Sequence, residues 1–402
     1  MAGRLISLAE ARQLVLAEAR PLPAEDVPVG DALGRVLAEE VTSAHDLPPF
    51  DSSAMDGFAV VAGLGGELPI VGESRAGRPS DRPLGRGEAI RISTGAEVPT
   101  GADAVVPVER TSSADGRVVV PDTEAGANVR RAGEDVRAGT PVLGAGVELG
   151  PAEVAVLTSL GREAVRCGAR PRAAIVVTGD ELVPPGRPLG PGQIRDSNAA
   201  ALSAQATRAG ARVESVEHAA DERAATTAAL EGALRAADVV CISGGVSVGE
   251  HDHVKASLAE LGAEERFWGV ALKPGKPTWF GTAGQTLVFG LPGNPVSAMV
   301  TFHLLARPAL RALAGANPSE TRAQAILDAP VRRSAGREQA VRCRLRAGDD
   351  GWHVAPTKEQ GSHVLTSMLG AGALAMIPPG EGEVAAGERV DVELLQRGTL
   401  SG

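Results

Sequence analysis

The chain carries only four lysines, Lys255, Lys273, Lys276 and Lys358, among its 40 basic residues, and two of them share one pentapeptide, Lys273-Pro274-Gly275-Lys276-Pro277. A sequence that uses arginine almost everywhere a positive charge will do keeps lysine where a compact ammonium is wanted, and the flanking prolines restrict where both ammonium groups point. The chemistry suggested is anion binding. Ser243-Gly244-Gly245-Val246-Ser247-Val248-Gly249 follows a strand-like run and precedes a helical one, so its N–H groups and the Ser243 and Ser247 hydroxyls can surround an oxyanion or a phosphate. The structural alternative is a plain turn. Leu291-Pro292-Gly293-Asn294-Pro295-Val296-Ser297 opens another helix with Pro295 at its first position, and the free amides there form a second anion site.

Acidic candidates are scattered: Asp51 and Asp56 in Asp51-Ser52-Ser53-Ala54-Met55-Asp56-Gly57, then Glu134-Asp135, Asp180-Glu181, Asp196 and Asp221. Thr94, in Ser93-Thr94-Gly95-Ala96, sets a hydroxyl beside glycine at the close of an apolar run. Glu250-His251-Asp252-His253 could hold a divalent ion or be a solvated helix start, and a hard cation would favour the Asp252 carboxylate over the two histidines. Carboxylates beside a polyphosphate commonly hold Mg²⁺ or orient a water.

The elements that must position these groups fall into distinct regions. Ser7-Leu8-Ala9-Glu10 reads as a capping box that starts an amphipathic helix running to about Arg20, where Pro21 and Pro23 end it. From about Val41 to Gly150 the pattern is short apolar runs, Phe58 to Val61, Ala89 to Ile92 and Ala104 to Val108, between polar turns, and it predicts a mostly β region. Pro151 to Leu160 reads as a short helix.

From Arg172 the chain alternates in the βαβ manner. Strands are predicted at Ala173–Val177, Arg212–Val216, Asp238–Ile242, Phe267–Leu272, Thr278–Phe280 and Leu287–Gly290. Helices are predicted at Ser197–Ala209, Asp221–Arg235, Asp252–Leu261 and Pro295 to about Ala314. That is an α/β domain with a largely parallel sheet, whose glycine-rich turns follow strand ends, where such sheets bind ligands. After Asn317-Pro318 alternation returns, as at Val341–Leu345 and Val390–Leu394, and predicts a small β-barrel or sandwich.

Composition bounds the function. With 402 residues, 43% apolar and 22% charged, the chain is a folded protein of two to four domains. A net charge of −10 argues against a general nucleic-acid binder, and with no tyrosine and 2% aromatics there is no stacking platform for bases. No stretch approaches a membrane span, and the start, MAGRLISLAEARQ, lacks the apolar run of a signal peptide. Cys167, Cys241 and Cys343 show no metal-ligand spacing, which fits a reduced cytoplasmic protein without structural zinc.

Several segments together resemble one family, the molybdopterin molybdenumtransferases of molybdenum-cofactor biosynthesis, known as MoeA in bacteria and as the E domain of gephyrin. They are SSAMDGFAV, ISTGAEVPTGADAVVPVE, NVRRAGEDV, VVTGDELV, GQIRDSN, SGGVSVGEHD, ALKPGKPTWFG, GLPGNPVSAMVTF and GSHVLTSMLGAGALAMIPPG, in order along nearly the whole chain. The resemblance implies an α/β plus β multidomain fold. Its parts would be a linker domain (1–50 and 137–170), an inserted β-rich domain (51–136), a mostly parallel, MogA-like α/β domain (171–315) and a C-terminal β-barrel domain (316–402). It implies an elongated homodimer with its cleft at the subunit junction, and a reaction of adenylylated molybdopterin with molybdate that gives molybdenum cofactor and AMP in the presence of Mg²⁺.

Carried residue by residue, the resemblance implies functional carboxylates at Asp56, Asp135, Glu181, Asp221 and Asp252 and a hydroxyl at Thr94, with Asp56, Glu181 and Asp252 as the metal set. It places molybdate contacts at Lys273, Lys276 and Ser297, with Pro277 beside them and Arg342 and Ser367 from the C-terminal domain. Gly269 stands where many members have a basic residue, and Arg266 is the candidate to replace that charge. Phe58 stands where tyrosine is common. Tungstate insertion by the same chemistry and a non-catalytic scaffold of the same fold are the alternatives, and a molybdopterin adenylyltransferase that supplies substrate is the further expected partner.

Overall fold

The structure is a computed structural model that describes residues 5–245, 253–319 and 321–395. Its contacts divide the chain into two compact units. One comprises residues 27–33 and 39–165, and the other comprises residues up to Asp26, 34–38 and 166 onward.

The first unit is built on a six-stranded mixed sheet in the order Ala104–Pro107, Gly57–Val60, Ala89–Ile92, Gly66–Ser74, Arg117–Val120, Ser112–Ala114. Both faces of this sheet are covered. Phe58, Val60, Ala89, Ala104, Val106 and Val118 form one apolar cluster, and Ala59, Ile90, Ile92 and Val105 belong to another. The four residues Gly57–Val60 are therefore all buried, as a continuous apolar run requires. A β-carbon on Gly57 would lie 2.0 Å from the carbonyl oxygen of Val106, so only glycine lets this strand approach its neighbour. The arginine side chain of Arg91 lies over the Phe58 ring at 5.2 Å.

In the second unit the helix Leu8–Glu18 starts as its sequence signals, with the Ser7 hydroxyl accepting from the Glu10 N–H at 3.1 Å. The α/β sheet has the order Arg212–Ala219, Arg172–Thr178, Val239–Ser243, Thr286–Leu291, Trp279–Ala283, Glu264–Trp268. The first four strands are parallel, and Trp279–Ala283 runs antiparallel to both of its neighbours. Because Trp279 pairs with Gly290, the segment before Trp279 lies at the carboxyl edge of the parallel strands.

Two sequence expectations need correction. The run expected as one strand, Phe267–Leu272, is divided: Glu264–Trp268 belongs to the α/β sheet, whereas Leu272–Lys273 pairs in parallel with Glu338–Gln339 of the C-terminal sheet. Gly269, at φ +88°, turns the chain between them. The helix expected from Pro295 to about Ala314 is interrupted by a π-turn at Phe302–Ala306 between helices Pro295–Thr301 and Arg307–Leu313. Pro308 explains it, since proline cannot donate to the carbonyl of Leu304 four residues back. That carbonyl instead accepts from Arg12 Nε at 3.1 Å.

The C-terminal strands close on themselves. Glu338–Gly348 pairs with Gly351–Pro356 and with Ala373–Ile377, and the circuit runs on through Arg322–Leu327 and Arg389–Leu394, making a five-stranded barrel. Cys343, Val354, Ala373, Ala375 and Val392 fill its interior. Of the barrel and sandwich expected from the sequence, the barrel is the one formed.

Candidate active site

In the second unit, a pocket of about 660 Å³ opens where the lysine pentapeptide, the Pro-Gly-Asn turn and the barrel meet. Its lining includes Lys273, Lys276, Pro277, Asn294 and Ser297 from the α/β side and Arg332, Arg337, Arg342 and Lys358 from the barrel side. Six of the lining residues are cationic and none is acidic. In a chain of net charge −10 that is a strongly selective environment for an anion. Three of the four lysines stand here.

Arg342 is the most constrained of them. It is 1% exposed, and its side chain donates to Ser367 Oγ at 3.3 Å and to the carbonyls of Glu359 and Gly361 at 3.3 and 3.2 Å. All three partners are neutral, and burial pulls the guanidinium below the usual arginine value without the relief of a carboxylate. Arginine stays protonated even so. Ser367 thus meets Arg342 as a partner, while its own hydroxyl donates to the Val364 carbonyl at 2.6 Å.

Gln360 fixes the loop that supplies those carbonyls. Its side-chain oxygen accepts from Arg342 N–H at 3.0 Å, and its amide donates to the Arg342 carbonyl at 3.0 Å, reproducing a strand pairing with one side chain. The loop carries Lys358. Gln360, Lys358, Arg332 and Arg337 were not read from the sequence as site residues. The scarcity of lysine was a signal for Lys358, whereas the two arginines lie in an arginine-rich polar stretch, Val331-Arg332-Arg333-Ser334-Ala335-Gly336-Arg337, that carries no such mark.

The strand-end turns are knitted together behind this pocket. Asn198 Nδ2 donates to Ser243 Oγ at 2.8 Å and to the Gly293 carbonyl at 2.7 Å, and Ser243 Oγ donates to the Pro292 carbonyl at 3.3 Å. A β-carbon on Gly293 would lie 3.8 Å from the Gly244 α-carbon, so the two turns adjoin. Gly244 and Gly245 both take positive φ. Ser247 and Asp252 lie outside the described residues. The Val296 N–H, expected as a free helix-end amide, donates to the Ser362 carbonyl at 3.2 Å, which leaves the Ser297 hydroxyl as the helix's polar group in the pocket lining.

Asp180 and Asp221 hold two neighbouring loops by reciprocal bonds: Asp221 N–H donates to Asp180 Oδ1 at 3.1 Å and Asp180 N–H to Asp221 Oδ2 at 3.4 Å. Glu181 beside them is exposed. Asp196 is committed to structure, accepting from the Asn198 and Ala199 N–H groups and meeting His218 Nε2 at 2.8 Å. Arg266 does not replace the charge missing at Gly269, because it is paired with Glu18 and Glu264.

In the first unit the structure joins two predicted segments. Thr94 N–H donates to Asp56 Oδ1 at 2.8 Å, Gly95 N–H donates to the Ser53 carbonyl, and Ser53 N–H to the Ala96 carbonyl. Asp56 and Thr94 are exposed on the resulting corner. Asp135 is exposed in a separate turn, where its N–H donates to the Leu47 carbonyl at 3.0 Å. Among the described residues no three His, Cys, Asp or Glu side chains gather as a metal site.

A closed β-barrel, a mostly parallel α/β sheet and a cationic pocket where they meet define an anion-handling protein of multidomain α/β plus β class. Residues 6–161 match the family described as MoeA N-terminal region (domain I and II), residues 174–312 the probable molybdopterin binding domain, and residues 324–395 the MoeA C-terminal region (domain IV). The chain belongs to the MoeA family. It is 36% identical to the molybdopterin molybdenumtransferase of Haemophilus influenzae over 97% of its length and 98% of that protein. It is 38% identical to molybdopterin molybdenumtransferase 2 of Mycobacterium tuberculosis over 91% of its length and 94% of that protein. The crystal structure of the molybdopterin biosynthesis MoeA protein from Pyrococcus horikoshii superposes with a TM-score of 0.82 at 33% identity, covering 98% of this chain and all of that one.

Proposed function

We propose that this chain is a molybdopterin molybdenumtransferase, an enzyme that inserts molybdate into adenylylated molybdopterin and releases AMP. The observation that carries the reading is the pocket with six cations and no carboxylate in a chain of this family. Lys273, Lys276 and Arg342 hold the tetrahedral oxyanion by charge, and the Ser297 hydroxyl orients it by a hydrogen bond. Arg342 is fixed before the anion arrives, so little reorganisation is needed on binding. Nothing in this set separates tungstate from molybdate. A scaffold without activity has no use for an un-neutralised buried guanidinium, which costs stability.

Asp56, with Thr94 beside it, the exposed Glu181 and Asp135, and the half-buried Asp221 are proposed to serve cleavage of the phosphoanhydride. A divalent cation such as Mg²⁺, when bound, would supply charge neutralisation on the pyrophosphate oxygens. Asp56 and Glu181 are the described residues that the family resemblance proposes as its ligands. The homodimer, supply of substrate by an adenylyltransferase, and a cytoplasmic location belong to the same proposal. The three cysteines are buried and unbridged, as a reducing compartment favours. Among the described residues no helix is long and apolar enough to cross a membrane.

The test is incubation of the protein with adenylylated molybdopterin, Mg²⁺ and either molybdate or tungstate while AMP release is followed. Release that depends on the oxyanion supports the reading, and its absence overturns it. Mixing Asp56→Asn and Lys273→Ala proteins under verified subunit exchange should recover activity up to about a quarter of wild type if the active assembly is a dimer with shared sites.

A further inference from the structure

The pocket holds more positive charge than one oxyanion can use. A dianion held by Lys273, Lys276 and Arg342 leaves Arg332, Arg337 and Lys358 in the same lining, again with no carboxylate among the lining residues. Among the described residues no acidic side chain forms an ion pair with Arg332 or Arg337, although paired arginines are common elsewhere in the chain.

The backbone at both arginines is held in place. Gln339, 9% exposed, donates from Nε2 to the Arg332 carbonyl at 2.7 Å. On its other side the Val331–Arg332 strand pairs with Glu383–Val384. Arg337 follows a turn closed by its N–H to the Ser334 carbonyl and directly precedes strand Glu338–Gly348. Both therefore flank Gln339, which stands three residues before Arg342 on that strand, a rise of about 10 Å. Backbone positions that far apart give the lining two ends, and a ligand larger than one oxyanion can engage both. Lys273 is paired in register with Gln339, at the same level of the strand.

We propose that Arg332 and Arg337 form a second anion subsite, which takes a phosphate group of the nucleotide-linked pterin substrate while the oxyanion occupies the Lys276–Ser297–Arg342 end. This rests on the proposed transferase reading for the identity of the substrate, but its test is a binding measurement that does not need turnover. A guanidinium fork matches two phosphate oxygens at once, as a point-like ammonium does not.

The experiment is calorimetric titration of the full chain with sodium molybdate, inorganic pyrophosphate and AMP, singly and with molybdate saturating. Wild type should bind pyrophosphate with affinity changed less than about threefold by saturating molybdate, because the two occupy different ends. Arg332→Ala/Arg337→Ala should weaken pyrophosphate by about tenfold or more and leave molybdate within about threefold, and Lys276→Ala should do the reverse. A parallel loss for AMP assigns the adenylyl phosphate to the subsite, and AMP affinity left intact assigns the pterin-side phosphate. Arg332→Lys/Arg337→Lys, which keeps both charges, should recover part of the loss and controls for folding together with the melting temperature. One-for-one competition between molybdate and pyrophosphate, or equal weakening of both anions in the arginine double variant, would overturn the proposal. Failure of AMP release in wild type would overturn the transferase reading and leave the two-anion result standing.

Discussion

Arg342 and Arg346 lie on one strand, four residues apart, and the protein treats them in opposite ways. Arg346 is exposed and fully answered: Nε and one terminal nitrogen reach the two carboxylate oxygens of Asp328 at 3.1 and 2.8 Å. His353 joins the cluster by contacts to Asp328 and Asp350 at 2.8 and 2.7 Å, and these carboxylates raise its pKa. Arg342 is buried and answered only by a hydroxyl and two carbonyls. An exposed pair of the first kind contributes little to stability, and a buried charge of the second kind costs stability unless something outside the fold compensates it. The difference separates charge that serves the barrel from charge that waits for a ligand.

The comparison breaks most visibly if the ligand-facing charge proves dispensable. Lys273→Ala/Lys276→Ala should raise the molybdate concentration needed for half-maximal AMP release by about two orders of magnitude, the effect of losing two charge-assisted contacts. Unchanged molybdate dependence would return both lysines to the solvated surface. Asp56→Asn should lower AMP release by about a hundredfold while adenylylated pterin still binds, as measured by single-turnover kinetics and equilibrium binding.

Arg342→Met sharpens the contrast by splitting function from stability. Molybdate affinity should fall about tenfold or more, whereas thermal stability should hold or rise by up to about 2 kcal/mol, because an uncompensated buried cation is removed. A large loss of melting temperature would show that Arg342 is a structural residue. The matching Arg346→Ala change should leave the melting temperature nearly unchanged and molybdate affinity alone.

His303 supplies a pH test of how burial handles a cation. It is 5% exposed in the π-turn, its Nε2 has no partner, and burial pushes its pKa down to about 3, with Arg307, Arg12 and Arg208 acting in the same direction. The unfolded chain therefore binds a proton that the folded one refuses between about pH 6.5 and about pH 3. Stability present above pH 6.5 should decline as pH falls through that window, by up to tenfold in the folding constant per pH unit from this residue. Denaturant titrations of wild type and His303→Gln should differ in that slope and converge in it above pH 7. Unlike Arg342, histidine escapes the cost of burial by staying neutral.

What the sequence made legible follows from how local each signal is. The cap at Ser7, the run Ala89–Ile92 and the alternation of strand and helix after Arg172 depend on neighbours in the chain, and they stand where expected. Pro308 also carried the signal for the π-turn, since its missing N–H frees Leu304, yet apolar periodicity alone ran through it. The site was legible in its motifs and illegible in its joins. Nothing local says that Thr94 meets Asp56, that Asn198 bridges the Ser243 and Gly293 turns, or that Gln360 folds back on Arg342. The change of sheet at Gly269 was hidden as well, because Phe267 and Leu272 are equally apolar and both are buried.

That change of sheet bears on how far the molecule can be taken apart. The short strand Leu272–Lys273 is sewn to the barrel although its chain neighbours on either side belong to the α/β sheet. A severed α/β segment such as 174–312, cut where the family boundaries invite it, would leave the lysine loop without the backbone partners that hold Lys273. Its remaining β-pairing would keep the sheet while the anion-binding loop lost its second anchor. The protein's modules, separable by homology, are inseparable in mechanics, and the lysine pentapeptide is the stitch between them.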